Sequence, residues 1–268
     1  MLNKPMERDY WQRQTKDAPL FPDLAWSRPE NRQQAGKLLI VGGNSHGFAA
    51  PAEAYQEVMK AGIGTSRVLL PDGLKKTVGR VFEAGEYAPS TPSGSFSQKA
   101  LDELLLQSNW ADATLLAGDF GRNAETAILL EKFLEKYSGQ VTLTKDAIDY
   151  ITSSPLTVLH RQQTLLVLSL SQLQRLATAS RYPMAISFSM DLLHLVDWLH
   201  SYTGHYAPYI IVKHLEHICV AVKGRVSTTK LEIEIPLWRL TTASHAAVWW
   251  LQNQTKPFEA LTNAVLPS

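Results

Sequence analysis

Two short stretches of this sequence carry side chains able to do chemistry. The first, Gly42-Gly43-Asn44-Ser45-His46, sets two glycines ahead of three polar residues. Adjacent glycines let backbone N–H groups approach an anion, so such a turn is able to cradle a phosphate. It has neither the lysine of a Walker loop nor the glycine spacing of a dinucleotide fingerprint, and a tight strand-to-helix turn is the competing reading. The second, Thr241-Thr242-Ala243-Ser244-His245, offers hydroxyls and an imidazole. Histidine is the side chain whose ordinary pKa lies nearest neutrality, so His245 is a candidate proton-transfer group. A histidine in a first helical turn with no catalytic duty is the plainer alternative. His214 and His217 have His-x-x-His spacing, with His194, His200 and His205 nearby. Zinc needs convergent ligands, and within strands that spacing turns two side chains to opposite faces, so no metal is expected. Cys219, in an apolar run without a neighbouring base, reads as a core residue. Trp249 and Trp250 read as helix packing.

The elements that must position these groups alternate between strand and helix. Lys37–Val41 is an apolar run ended by glycines, Pro51 suits the first turn of a helix with Ala54, Val58 and Ala61 on its buried face, and Gly62 closes it. Ser66–Leu70 is the next strand. A strand, a helix and a strand within about 35 residues make a βαβ unit and a parallel sheet. Gly85–Ser97 reads as a loop, with Ser97 capping a helix over Gln98–Gln107. Thr114–Ala117 is a strand, followed by a helix capped by Asn123, carrying Leu130, Phe133, Leu134 and Tyr137 on one face and stopped by Gly139. Val141–Thr144 and Leu165–Leu168 are further strands. Ser171 with Gln174 has the pattern of a capping box, and a long helix covers Met190–Tyr202. Ile210–Lys213, Cys219–Val222 and Val226–Ile233 finish the sheet, the last two joined at Lys223-Gly224 as a hairpin. Residues 1–35, polar and punctuated by proline, read as an arm; residues 36–268 read as a single α/β domain.

Bulk properties exclude several functional classes. The chain has 268 residues, 45% of them hydrophobic, enough for a large core. Lys plus Arg number 26 against 25 for Asp plus Glu, so nothing argues for a polyanion such as nucleic acid as partner. One cysteine precludes a disulfide within the chain and suits a reducing compartment. No apolar run approaches the ~20 residues that span a bilayer, and a cytoplasmic location is expected.

The motif order resembles that of the NAD(P)H-hydrate dehydratase family, within the ribokinase-like superfamily. The family opens with a strand, a glycine-rich turn, a helix of small residues and Ala-Gly-x-Gly before the next strand; here these are "LLIVGGNSHGFAAPAEAYQEVMKAGIGTSRVLL". "TLLAGDFGR" is similar to its strand and Gly-Pro-Gly loop, "VTLTKDAI" to its strand ending Asp-Ala-Asp-Ala-Leu, and "YIIVKHLEHICVAVKG" to its Val-Leu-Lys-Gly strand and the one after it. The resemblance spans roughly residues 36–265. It implies a three-layer ribokinase-like α/β fold, a mainly parallel central sheet with helices on both faces and a late antiparallel edge. It also implies ATP or ADP and a NAD(P)H-type dinucleotide as ligands, small molecules as partners, and assembly as a homo-oligomer.

The departures bear on the chemistry. "TTASH" stands where the family has Gly-Gly-Thr-Gly-Asp, whose glycines bring backbone N–H groups to nucleotide phosphates at a helix start. His245 replaces the family's acid–base Asp. "VLSLSQL" replaces Thr-Pro-His-Pro-Gly-Glu, Thr144 replaces the first Asp of Asp-Ala-Asp, Asp119 and Phe120 interrupt the loop after Gly118, and His214 replaces the glycine after Lys213. Gly43, Asn44, Ser45, Gly118, Asp119, Lys213 and Thr242 are the expected ligand contacts, and His245 and Asp146 the candidate catalytic groups. Any pocket is expected at the carboxyl ends of the parallel strands, near Asn44, Asp119, Asp146 and Lys213. A degenerate family member that keeps a binding or assembly role is the leading expectation. The alternatives are an active ATP- or ADP-dependent dehydratase or small-molecule kinase, and a structural subunit.

Overall fold

The computed structural model describes residues 8–26, 28–79, 82–232 and 237–266. The strands are β1 (Trp11–Gln14), β2 (Lys37–Gly42), β3 (Thr65–Pro71), β4 (Gly85–Ala88), β5 (Ala113–Gly118), β6 (Gln140–Thr144), β7 (Thr164–Leu168), β8 (Tyr209–His214), β9 (His217–Val222) and β10 (Arg225–Lys230). The α-helices are α1 (Pro22–Trp26), α2 (Ala49–Lys60), α3 (Lys75–Val78), α4 (Leu101–Trp110), α5 (Ala124–Lys136), α6 (Asp146–Ile151), α7 (Pro155–Leu159), α8 (Leu170–Ala179), α9 (Leu192–His205), α10 (Trp238–Gln252) and α11 (Pro257–Ala264).

All ten strands form one sheet in the order β1-β10-β9-β8-β7-β6-β5-β2-β3-β4. The seven strands from β8 to β4 run parallel, and β9 reverses direction. β5, β6 and β7 are buried from end to end because helices cover both faces of the sheet. Alternate residues serve the two layers. Leu39, Val41, Leu116 and Leu143 pack with α4 to α9, whereas Leu38, Ile40, Leu115 and Val167 pack with α2, α10 and α11. This is the mainly parallel three-layer α/β arrangement expected from the sequence, with its antiparallel edge at β9.

Several local expectations change. Trp11–Gln14, inside the stretch read as an arm, is an edge strand parallel to β10; Gln14 donates to Thr229 Oγ1 and the Thr262 carbonyl. Gly85–Ala88, read as loop, pairs in parallel with β3. Ser97 makes no cap hydrogen bond; the Gln98 N–H donates to Glu125 instead. The capping box lies two residues earlier than expected, at Ser169 and Gln172, so Ser171 is inside α8. Asp191 caps α9, which therefore starts after Met190 and continues to His205. The last strand ends at Lys230, and Ile233 lies outside the described residues. The Lys223-Gly224 hairpin forms, both residues having positive φ. His214 and His217 are direct partners across a second hairpin. They therefore share one face of the sheet rather than opposite faces.

The largest change concerns Thr241–His245. The expectation that this segment opens a helix is incorrect: α10 begins at Trp238, so the segment lies inside it, with Thr242 and Ser244 buried. No helix start exists there to receive a phosphate.

Candidate functional site

At the carboxyl edge of the sheet, where the parallel strands end, β2, β5 and β6 are neighbours and bring Asn44, Asp119 and Asp146 together. Gly43 has φ 88°, and its N–H donates to the Gly118 carbonyl at 3.0 Å. A side chain there would press on Leu70 and Phe48, so glycine is needed for the turn itself. Asn44 Nδ2 donates to the Asp119 carbonyl (2.6 Å), and its Oδ1 accepts from His46 N–H (2.7 Å). Ser45 donates its N–H to the Gly94 carbonyl and its hydroxyl to the Ser93 carbonyl. The groups expected to face a ligand are thus bound to the chain's own loops.

Asp119 explains much of this closure. It has φ 59°, a conformation that Asp tolerates better than most residues. Its Oδ2 accepts from the Ala50 N–H in the first turn of α2 (2.7 Å), and its Oδ1 pairs with Lys145 Nζ (3.0 Å). The N-cap residue of α2, Phe48, makes no side-chain bond, so a carboxylate from another loop supplies the negative charge that a helix N-terminus favours. Gly118, at φ 108°, lets the Lys145 and Asp146 side chains pass; a Cβ there would sit 2.8 Å from Lys145 Cβ and 3.0 Å from Asp146 Oδ1.

Asp146 opens α6 beneath this turn. Burial pushes its carboxyl pKa up, the Asp119 charge adds to the shift, and the Phe120 and Gly121 amides and Lys145 oppose it. Its Oδ1 is buried without a hydrogen-bond partner. Beside it lies an open cleft of about 530 Å³, lined by Gly121, Arg122, Asn123, Asp149 and Tyr150 together with Asp146. The Tyr150 hydroxyl bridges the cleft floor, donating to the Gly121 carbonyl and accepting from the Asn123 N–H. Asp149 pairs with Arg175 at 2.7 Å. Gln172, from the α8 capping box, donates to the Lys145 carbonyl and accepts from Arg239, tying the start of α10 to this edge.

The remaining predicted residues stand apart. Lys213 is at the end of β8, three strands from β5, which is about 14 Å at ordinary strand spacing. Thr242 is buried on α10. His245 lies seven residues past Trp238, about 10 Å along the helix axis, and its Nε2 faces Glu57 of α2 at 3.2 Å. Burial lowers its pKa, against the pull of Glu57. Arg122, Lys145, Asp149, Tyr150 and Gln172 were not foreseen. Asp146 and Asp149, spaced i,i+3 on one helix, were the available signal for the cleft.

No family model matches the sequence. Over 125 residues, 45% of this chain, it is 29% identical to a bifunctional NAD(P)H-hydrate repair enzyme of Methanocaldococcus jannaschii, and spans 24% of that protein. A ribokinase-like superfamily protein of Enterococcus faecalis superposes with a TM-score of 0.69 at 14% identity, covering 97% of this chain and 87% of the other. The ADP/ATP-dependent NAD(P)H-hydrate dehydratase of Bacillus subtilis, co-crystallised with ATP and Mg²⁺, superposes with a TM-score of 0.61 at 11% identity over 92% of this chain and 86% of that one. At such identities the solved structures establish the fold.

Proposed function

We propose that this chain, which has a ribokinase-like fold and is similar in part to an NAD(P)H-hydrate repair enzyme, binds a nucleotide-type small molecule at the carboxyl-edge cleft but does not carry out ATP-dependent dehydration. The observation that carries this reading is the placement of Thr241–His245 inside α10, with Thr242, Ala243 and Ser244 buried. The resemblance would put a glycine-lined phosphate turn and a carboxylate there. Losing one preorganised donor to a developing charge costs about 3 kcal/mol of transition-state stabilisation. Here a whole turn is replaced by helix interior, and the imidazole that stands for the carboxylate faces Glu57 instead. A single general acid or base contributes about 10²–10⁴-fold, too little to offset that loss.

The cleft supports the binding half of the proposal. Its volume suits a small ligand, and Arg122 supplies a cation beside the carboxylates of Asp146 and Asp149. Purified protein incubated with hydrated NADPH and ATP or ADP should show no turnover near the about 1 s⁻¹ ordinary for enzymes; a rate of that order would overturn the proposal. A thermal-shift panel of nucleotides and dinucleotides should contain a stabilising ligand, since one present at 100 times its Kd adds about 2.7 kcal/mol. Arg122→Ala should remove that shift. A panel without any shift would favour a structural subunit.

A further inference from the structure

A second cleft, of about 460 Å³, opens on the α2–α10–α11 side, toward the opposite edge of the sheet, where residues 19–26 and Arg28 lie against the helices. Its walls are the indoles of Trp26 and Trp249 and its polar groups are Arg28, Lys60, His245 and Asn263. Four features set it apart from an ordinary surface dent. Trp26 is 89% exposed, an indole left in water beside the cleft. Such a side chain gains by covering its faces. Arg28 is held in place, its guanidinium 4.6 Å from the centre of the Trp249 ring and donating to the Ala61 carbonyl at the end of α2. Among the described residues no carboxylate pairs with it; Glu57 pairs with Lys60 at 2.7 Å, and His245 Nε2 lies 3.2 Å from Glu57 without a hydrogen bond. A half-buried cation without a counter-charge favours an anion.

The fourth feature is Asn263. It is 5% exposed, its Nδ2 donates to the Phe21 carbonyl at 2.7 Å, and its Oδ1 is buried with no partner. A buried acceptor left unpaired is costly, and here it belongs to the lining of a cavity large enough for a ligand. The nitrogen bond to Phe21 fixes which end of the amide is free.

We infer that this cleft is a binding site for a planar aromatic acid: a ring to lie between the two indoles, a ring N–H or hydroxyl to donate to Asn263 Oδ1, and an acidic group for Arg28. The site is independent of the carboxyl-edge cleft and needs no nucleotide. Indole-3-acetate is a suitable probe because it has one of each feature.

Titration into ¹⁵N-labelled protein should move the indole N–H signals of Trp26 and Trp249 while leaving that of Trp198, buried in the other layer, unmoved. The expected Kd is about 1 mM or tighter, within reach of a fragment of about a dozen non-hydrogen atoms. Methylating the ring nitrogen removes the donor for Asn263, and replacing the probe with 3-methylindole removes the acid. Each change should weaken binding about tenfold or more, and neither alters the protein. Trp26→Ala, at an exposed position, should do the same without unfolding it. Indole-3-acetate failing to saturate these signals by about 10 mM, ten times the expected Kd, would overturn the inference, as would binding indifferent to both N-methylation and Trp26→Ala.

Discussion

The two edges of the sheet are built in opposite ways. At the carboxyl edge the polar groups other than Asp146 Oδ1 have largely found one another: Asp119 meets Ala50 and Lys145, Asn44 meets Asp119 and His46, and Gln172 meets Lys145 and Arg239. On the side of the second cleft two tryptophans, a cation without a carboxylate partner among the described residues, and an asparagine with an unpaired amide oxygen line a cavity. Parallel α/β sheets ordinarily bind ligands at the carboxyl edge, because loops and helix N-termini converge there. The comparison teaches that converging loops can also saturate one another. Once Asp119 sits at the α2 N-terminus, a ligand phosphate would have to displace a carboxylate that is already hydrogen-bonded and ion-paired. Among the described residues no carboxylate competes for Arg28 in the aromatic cleft.

The amino edge depends on Arg161, and breaking it there should give the largest effect. Its guanidinium donates to the carbonyls of Leu134, Tyr137, Gly139 and Gln163, closing the end of α5 onto β6 and β7. Burial lowers its pKa to about 10. Arg161→Met keeps the apolar stem but leaves those acceptors unmatched. Unfolding in urea should show a loss of about 3 kcal/mol or more, with an unchanged slope.

Restoring a glycine turn in α10 should come next in size. Thr242→Gly with Ser244→Gly places two glycines inside a buried helix, where each costs about 0.5–1 kcal/mol. A combined loss of about 1–2 kcal/mol without new nucleotide affinity is expected in the urea and thermal-shift measurements. Tighter ATP binding by this variant would show instead that the helix start can be remade at Thr241.

How much of this was legible in the sequence differs between the two regions. β2, α2 and β3 were readable because fully buried parallel strands are continuous apolar runs and the connecting helix is bounded by Pro51 and Gly62. The Asn123 cap was readable because its bond is local. "TTAS" misled because Ser and Thr look the same in a cap and in a helix whose small hydroxyl residues pack against a sheet; Thr242 and Ser244 do the latter. β1 was hidden because an edge strand with one buried polar residue, Gln14, lacks an apolar run. At the carboxyl edge the sequence pointed to Asn44, Asp119 and Asp146 but not to their mutual bonds, which depend on the positive φ of Asp119 and Lys145. The aromatic cleft left no local trace. Its walls come from segments around residues 26, 60, 245 and 263, and an unpaired amide oxygen is a property of packing.

Removing the internal competitor at the carboxyl edge gives the third prediction. Asp119→Ala deletes the acceptor for Ala50 and the partner of Lys145, and should cost about 1–2 kcal/mol, the range for losing a charged helix cap. Asp119→Asn keeps an acceptor, so only the partly exposed ion pair is lost, about 0–1 kcal/mol. Equal losses for the two variants would show that the ion pair, and not the cap, holds this turn.

The smallest effect distinguishes the edges by pH. Burial holds the His245 pKa below its ordinary value of 6.5, despite Glu57. The unfolded chain therefore binds a proton at this position before the folded chain does, and stability must rise with pH between the folded and unfolded pKa values and level off above about 6.5. On acidification the contribution is lost from about pH 6.5 downward until the folded-state imidazole also protonates. One group can contribute at most one proton to the slope, about 1.4 kcal/mol per pH unit. His217 is displaced in the same direction and adds to the wild-type slope, so the difference between proteins carries the argument. Asp146 behaves oppositely: its raised pKa gives stability back on acidification toward 3.8, and it is common to both proteins. Urea midpoints for wild type and His245→Gln, measured from pH 5 to 8, should converge toward the acid end and separate toward the neutral one if the neutral imidazole contributes to packing. Curves parallel across that range would show that His245 does not change its proton affinity on folding, and that its contact with Glu57 offsets its burial.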